Sequence, residues 1–520
     1  MRDLIGAEWD YVVVGAGSAG CVVARRLSDD PAVRVLLIEA GPAATDPDVF
    51  VPQKWPFLAG GVHDWQYNAV PQTGLAGRVV TQPRGKGLGG SSLINALGFQ
   101  RGSHAAYDDW AEATGDPDWG YAGLLPYFRQ LERASGGEDA YRGGDGPLDI
   151  LALGRTGGES PFAHASVAAG VAAGYPLNPD WNGADAEGTI WSQLTMRDGQ
   201  RTTAASAYLD PVRGRTNLGI CTGAEVRRLL IADGRCTGVE VRIGGSDHVV
   251  TARREVILSA GAIDSPRLLM LSGVGDADEL RSIGIDPVHD LPDVGRHLAD
   301  HPLVPGLLFQ ARQPLPPSAY NHCETMVIAR SGQARGRADL QLMILAVPFL
   351  SPELGAPPAD SFSIVPSLVD PRSRGTIKLA SADPAVPALI DPAYLSDARD
   401  VEALIDGFEI ARTVAAQSAL APWIASEIFP GAVTDRSALG EHIRRTASPF
   451  FHPVSTCRMG RAGDSVVDSH CRVHGLAGLR IVDASIFPSI PNAMTNAAVM
   501  AVAERASALI RASGGLGPLP

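Results

Sequence analysis

Tyr11-Val12-Val13-Val14-Gly15-Ala16-Gly17-Ser18-Ala19-Gly20 opens the pattern that decides the fold. It is continued by Cys21-Val22-Val23-Ala24-Arg25-Arg26-Leu27, a break at Ser28-Asp29-Asp30-Pro31, and Val33-Arg34-Val35-Leu36-Leu37-Ile38-Glu39. The first apolar, β-branched run reads as a buried parallel strand and the last as its neighbour across a helix. Between them Gly15 permits a tight turn, Gly17 leaves room for a pyrophosphate, and Gly20 lets the helix pack on the strand with its N-terminal amides towards the anion. Glu39 lies 19 residues past Gly20. An acid at the end of that second strand accepts hydrogen bonds from adenosine ribose hydroxyls and repels a 2′-phosphate. Spaced glycines recur by chance in a chain with 58 of them, and a plain strand-helix-strand turn shares the spacing. Strand, glycines, helix, strand and terminal acid in this order point to a dinucleotide site.

At 520 residues the chain exceeds one ordinary core, so two domains, with interleaving allowed, are expected. A composition of 45% hydrophobic and 19% charged residues belongs to a globular protein. The net charge of −13 argues against nucleic acid as a partner, because phosphate contacts need a basic surface. Six cysteines, Cys21, Cys221, Cys236, Cys323, Cys457 and Cys471, show neither CxxC pairing nor metal-ligand spacing; they read as reduced thiols, with no metal site. Residues 1–8 have no basic n-region or apolar h-region, and no apolar run reaches the ~18 residues of a membrane span. A cytoplasmic protein without an integral membrane segment is expected. Nothing in the sequence signals an oligomeric state.

The region 40–77, rich in Pro, Gly and Trp, predicts a long ordered excursion with little regular structure. Arg84-Gly85-Lys86-Gly87-Leu88-Gly89-Gly90-Ser91-Ser92-Leu93-Ile94-Asn95 is the second informative stretch. Its bare backbone amides, hydroxyls and two cations suit phosphate, where a lone loop of this kind would read as a surface turn. Helices are expected over 107–132, interrupted at Gly115-Asp116-Pro117, and over 161–174. Strands over 217–231, 238–241 and 248–250 lead to a buried strand at 255–261 and a helix with Ser265 as N-cap before Pro266. From 302 to 447, short segments such as 324–330, 340–344 and 376–379 predict a half-exposed antiparallel sheet, with a helix over 401–415. A strand at 479–483 and a helix from Thr495 return to the first domain, and 515–520 read as a frayed tail. The expected division is a nucleotide-binding domain in three parts, 1–155, 206–300 and 447–520, interleaved with a second domain in two, 156–205 and 301–446.

Ser448-Pro449-Phe450-Phe451-His452-Pro453 holds a histidine followed by proline and flanked by aromatics. Pro453 withholds an amide donor and stiffens the backbone, which suits an imidazole held as a proton acceptor. An unperturbed pKa near ~6.5 matches histidine to proton removal at neutral pH. A His-Pro pair alone is more often structural, and His63, His104, His297, His301, His322 and His474 compete on residue type.

Together these stretches resemble the glucose-methanol-choline (GMC) oxidoreductase family over nearly the whole chain. The resemblance rests on the N-terminal fingerprint with Glu39 and on Gly85 to Asp108, similar to the family's first signature. It rests also on Gly261-Ala262-Ile263-Asp264-Ser265-Pro266-Arg267-Leu268-Leu269-Met270-Leu271-Ser272-Gly273-Val274-Gly275, similar to its second, and on His452 with Asn496 44 positions downstream. It implies an α/β fold, a Rossmann-like FAD-binding domain interleaved with an α+β substrate domain built on an antiparallel sheet. It further implies that Gly15, Gly17, Ser18, Ala19 and Gly20 hold the pyrophosphate, Glu39 the adenosine ribose and Val226 the adenine region. Gly89, Gly90, Ser92 and Asn95 would line flavin and pyrophosphate, with Asp483 and Ala484 near the ribityl chain. His452 would be the general base that accepts the hydroxyl proton while hydride passes from the carbinol carbon to flavin N5. Asn496 would hydrogen-bond the same oxygen.

Two departures from relatives matter. Ile94 stands where some members carry the histidine that attaches FAD, so noncovalent FAD is expected. Phe450 stands two before His452, where choline-oxidising members place a small aliphatic residue. Bulk there hinders oxygen at the flavin edge or shapes the pocket, which favours a dehydrogenase over an oxidase. The resemblance thus implies oxidation of a primary alcohol, a small-molecule substrate, to an aldehyde, with oxygen or a quinone-type compound as electron acceptor. Phe450, Phe451 and Trp191 suit an aromatic or heteroaromatic carbinol. Glu324 would serve a cationic alcohol such as choline, although a charged residue on a sheet edge is usually solvated. The alternatives are an aliphatic alcohol dehydrogenase, a non-redox member such as a hydroxynitrile lyase, and an NAD-dependent dehydrogenase, the last disfavoured by the second Gly-rich loop.

Overall fold

The computed structural model describes residues 2–517. The strand Trp9–Val14 is buried at all six positions, as an apolar run without alternation requires when both sheet faces are covered. It sits inside a parallel sheet in the order Leu218–Cys221, Val35–Ile38, Trp9–Val14, Ser246–Leu258, Leu479–Ile481. Only the end of Ser246–Leu258 belongs to this sheet; its beginning pairs antiparallel with Arg235–Ile243, which pairs in turn with Ala224–Ala232. Open α/β sheets bind ligands outside the carboxyl ends of their strands. Here the residues just past four of those ends, Gly15, Glu39, Ser259 and Asp483, all line one cavity.

The helix Thr495–Ser513 brings the C-terminal region back against the helix Ser18–Leu27. Arg26 Nε donates to Glu504 Oε2 at 2.7 Å and Arg26 Nη2 to Oε1 at 2.9 Å, and the Tyr208 hydroxyl adds a third bond at 2.8 Å. Removing one partner of such a buried pair costs about 3–5 kcal/mol. The two helix starts, Ser18 and Thr495, are therefore held firmly beside each other at the cavity.

The second large sheet has nine strands. Its main path runs Ile424–Phe429, Leu308–Ala311, Ser361–Leu368, Leu340–Leu345, Thr325–Ala329, Gly188–Trp191, Leu177–Asn178. The expectation of a half-exposed sheet is corrected, because Thr325–Ala329, Leu340–Leu345 and Ser361–Leu368 are buried at every position. Val327, Leu342 and Ile364 pack with Leu404 and Phe408 of the helix Ala398–Ala415, while Met326, Met343 and Val365 form a separate cluster on the other face. Buried polar residues within these strands mimic an exposed face; one of them, Gln341, donates through Nε2 to Gln100 Oε1 at 2.5 Å. A four-stranded sheet joins Leu148–Ala152 to Gln193–Arg197 across the boundary expected at 155/156.

Ser265 is not an N-cap. The helix runs Gly261–Leu271, and Ser265 Oγ donates to Asp483 Oδ2 at 2.6 Å while accepting from Ala260 N at 3.2 Å. Proline inside a helix frees the carbonyl four residues earlier. For Pro266 that carbonyl is Ala262 O, which accepts from Thr456 Oγ1 at 2.6 Å. All six cysteines are free and buried. Among the described residues no helix is long and apolar enough to cross a membrane, and no group of three or more His, Cys, Asp or Glu side chains could hold a metal ion. Of the expected tail, residues 518–520 lie outside the described residues.

Candidate active site

A cavity of about 650 Å³ opens between the parallel sheet and the second sheet. Three helices, Ser18–Leu27, Gly261–Leu271 and Thr495–Ser513, start on its wall, so their positive ends face it, the first amide of Gly261–Leu271 being taken by Asp483. Gly15, Gly17, Ser18, Ala19, Glu39, Gly90, Asn95, Val226, Asp483 and Ala484 line this part. A Cβ on Gly17 would meet nothing within 4 Å, whereas one on Gly90 would sit 2.5 Å from Gly17 Cα. The two glycine-rich loops thus touch backbone to backbone and leave Gly17 open to the cavity.

Gly20, Gly89 and Ser92 do not line the cavity. A Cβ on Gly20 would lie 1.9 Å from Gly15 O, so this glycine serves helix-on-strand packing. Gly89 N donates to Ala16 O at 2.8 Å. Ser92 Oγ donates to Gly89 O at 2.6 Å and accepts from Ala204 N at 2.9 Å, so its hydroxyl is used inside the loop. These residues shape the loop from behind.

The Glu39 carboxylate is buried and accepts from Ala16 N at 2.8 Å, Gly41 N at 2.8 Å and Gly87 N at 3.1 Å. Burial raises its proton affinity, and the three amides oppose that. Two of the amides use Oε1 and one uses Oε2, so acceptor capacity for a ribose hydroxyl survives on Oε2. Asp483, also raised by burial, accepts from Gly261 N at 2.9 Å, Ser265 Oγ and Ser485 N at 2.8 Å.

His452 lines the same cavity. Its Nδ1 lies 3.0 Å from Nδ1 of His301, and among the described residues none hydrogen-bonds its Nε2. Two facing imidazole nitrogens need one proton between them. His301 Nε2 is buried and has no hydrogen-bond partner among the described residues. With the shared proton on His452 Nδ1, the neutral ring presents Nε2 to the cavity as an unprotonated acceptor. Burial lowers the proton affinity of His452 well below the ordinary range, helped by His301 and the Arg84 cation. Burial pushes His301 down to about 3, so both rings are neutral.

Asn496 lines the cavity too, but its Oδ1 accepts from Ser18 Oγ at 2.7 Å and its Nδ2 faces Met500 Sδ at 3.9 Å. The second sheet and its loops contribute Leu303, Cys323, Met326, Met343, Leu345 and Phe349, and Trp55, Phe450 and Phe451 complete an apolar end. The Phe450 ring packs on His452 with centroids 4.4 Å apart.

Two family models described as GMC oxidoreductase match the chain, over residues 9–303 and 371–503. The chain belongs to the GMC oxidoreductase family. It is 39% identical over 502 residues to the pyridoxine 4-oxidase of Microbacterium luteolum, covering 96% of this chain and 98% of that one. To the mitochondrial choline dehydrogenase of Mus musculus it is 38% identical over 541 residues, 97% of this chain and 89% of that one. The crystal structure of pyridoxine 4-oxidase from Mesorbium loti superposes with a TM-score of 0.93 at 39% identity, covering 96% and 98% of the two chains.

As a GMC oxidoreductase the protein uses FAD and acts on alcohol-type donors. The residues present fit that cofactor. Two touching glycine loops, three helix N-termini and Glu39 offer amides to a pyrophosphate and an acceptor to a ribose within one cavity. Trp191 does not line the cavity; it packs on His164 instead, with centroids 4.9 Å apart. Glu324 is neither solvated nor in the cavity. It is 4% exposed and accepts from Ser160 N at 3.0 Å, at the start of the helix Pro161–Ala172. The competing histidines are engaged elsewhere: His63 with Lys86 O, His104 with Gly183 O, His297 with Asp293, His322 with Gln53 O and His474 with Ser465. His301 was readable only as one competitor among six. The one signal for it is that His301-Pro302 repeats the His452-Pro453 dipeptide.

Proposed function

We propose that this GMC oxidoreductase oxidises a primary alcohol carried on an aromatic or heteroaromatic ring to the aldehyde. The observation that carries the reading is the junction of an apolar end of the cavity with a single imidazole nitrogen left without a partner. When bound, FAD supplies the hydride acceptor, N5 of its isoalloxazine. His452 Nε2 takes the hydroxyl proton as hydride leaves the carbinol carbon. Asn496 Nδ2, whose neighbour Met500 Sδ is only a weak acceptor, donates to the same oxygen. Ser18 fixes the amide's orientation by donating to its carbonyl. Ile94 lines the cavity with no nucleophile, and FAD is held noncovalently. Phe450 fills space beside the base and favours a quinone-type acceptor over oxygen.

The acidic residues that line the cavity, Glu39, Glu225, Asp264 and Asp483, come from the nucleotide-binding elements. Among the described residues no carboxylate joins the apolar end, which speaks against a quaternary ammonium substrate. The relative named pyridoxine 4-oxidase supports a pyridine carbinol, and the one named choline dehydrogenase keeps choline as the second reading, because Trp55 and Phe349 could hold an ammonium over their rings. Anaerobic addition of benzylic, furanic and pyridine carbinols is expected to bleach the flavin's visible band, and choline is not. Admitting a quinone should then restore the oxidised spectrum faster than air. Bleaching by choline alone would overturn the substrate class; no bleaching by any alcohol would sink the redox reading.

The desolvated base at the cavity wall also predicts a pH dependence. An unperturbed imidazole keeps only about a quarter of its unprotonated form at pH 6. The lowered proton affinity of His452 keeps Nε2 free there, so the rate constant for flavin reduction at saturating alcohol should change less than about twofold between pH 8 and 6. Asp300, pushed up to about 6 by burial, does not disturb this, because its Oδ1 accepts the His452 amide in either protonation state. A fall of about fourfold centred near pH 6.5 would show instead an ordinary, solvated imidazole.

A further inference from the structure

The segment carrying His452 runs alongside residues 299–301. Val454 N donates to Ala299 O at 2.9 Å, and Phe450 N donates to His301 O at 2.8 Å. Between these two bonds the pairing is broken. Phe451 takes a left-handed backbone, φ +66°, which a phenylalanine rarely adopts. The peptide group between Phe451 and His452 makes no bond to the neighbouring backbone, and both of its ends go to side chains. Its carbonyl accepts from Arg84 Nη2 at 2.5 Å, and its N–H donates to Asp300 Oδ1 at 2.6 Å. Asp300 is held in turn by the Tyr394 hydroxyl, which accepts from Gln82 Nε2 at 2.7 Å. Arg84 is held by Pro83 O at 2.5 Å.

We propose that Arg84 and Asp300 are positioning residues that clamp the Phe451–His452 peptide at both ends and so aim the His452 imidazole at the carbinol. A cation on a carbonyl and a carboxylate on an amide are the stronger kind of hydrogen bond, and here they grip one rigid unit from opposite sides. Rotating that peptide would carry Cα of His452 with it and break the 3.0 Å contact between the two imidazoles. With the shared proton on His452 Nδ1, that contact leaves Nε2 bare towards the cavity. Arg84 opens the same glycine-rich loop that touches Gly17, so the loop facing the cofactor also holds the peptide that carries the base.

This inference rests on the reading of His452 as the base, and the test separates the two. Asp300→Ala in the holoenzyme should lower kcat for a benzylic or pyridine carbinol by about 10²-fold per bound flavin, with KM changed by less than about threefold. Asp300→Asn, which keeps an oxygen for the His452 amide, should stay within about fivefold of the parent. Diethylpyrocarbonate labelling of His452, read by peptide mass spectrometry, should speed up about tenfold in Asp300→Ala and not in Asp300→Asn, because a released imidazole meets the reagent more often than one held against the cavity wall. Arg84→Met unloads the other end and carries the same two expectations should Asp300→Ala not fold. Parent-like turnover and labelling in Asp300→Ala, or in Arg84→Met where it stands in, overturn the clamp. So does an Asp300→Asn as impaired as Asp300→Ala, since charge and not the amide contact would then matter. Faster labelling in Asp300→Ala beside a fully active His452→Ala would leave the clamp standing and remove the base.

Discussion

His452→Ala is expected to slow anaerobic flavin reduction by an aromatic carbinol about 10³-fold, roughly 4 kcal/mol of barrier, while the protein stays yellow. The size follows from the absence of a substitute. His301, the nearest other imidazole, is 0% exposed and does not line the cavity, and the remaining candidate histidines are bonded elsewhere. Of the carboxylates on the wall, Glu39 and Asp483 are tied to amides and hydroxyls of the nucleotide-binding elements, and Glu225 and Asp264 pair with Arg227 and Arg267. FAD content should hold, because the glycine loops and Glu39 are untouched. Stopped-flow absorbance gives the rate constant and the resting spectrum gives the occupancy. Reduction within about tenfold of the parent would remove His452 from the chemistry.

Gly17→Val should give a folded, colourless protein. The backbone at Gly17, φ −73° and ψ −168°, suits any L-residue, and a Cβ there meets no protein atom within 4 Å. The added side chain therefore costs the fold little and projects into the cavity beside the helix amides that would receive a pyrophosphate. Apoprotein melting should stay within a few degrees of the parent apoprotein, while affinity for added FAD, read by quenching of flavin fluorescence, drops at least about a hundredfold. Gly20→Val provides the contrast. Its Cβ would lie 1.9 Å from Gly15 O, so loss of fold and loss of colour should come together. A yellow Gly17→Val with parent affinity would mean that the pyrophosphate does not lie over this loop.

Much of the nucleotide end was legible because its signals are local. Gly15, Gly17 and Glu39 sit within one strand-helix-strand unit, where spacing along the chain is close to position in space. Ser92 could not be placed from the sequence because a hydroxyl in a glycine-rich loop looks the same whether it faces a ligand or closes its own turn; here it bonds Gly89 and Ala204. Ser265 misled because proline marks a helix start only when its lost hydrogen bond goes unrepaired. The repair by Thr456 comes from 194 residues away. Gln341 and its polar neighbours made a doubly covered sheet look half exposed, since the partner of the Gln341 amide nitrogen is the distant Gln100.

By itself the sequence determined the dinucleotide fingerprint, the interrupted return of the chain at residues 479–496 and the presence of a histidine suited to proton transfer. Each depends on residue type and short spacing. Only the tertiary structure decided which ring nitrogen of His452 is free, that Arg84 and Asp300 grip its peptide, that Glu324 and Trp191 stand outside the cavity, and that its far end is apolar. Hydrogen bonds and burial of this kind join segments separated by hundreds of residues, and no local pattern encodes which distant side chain will supply the partner.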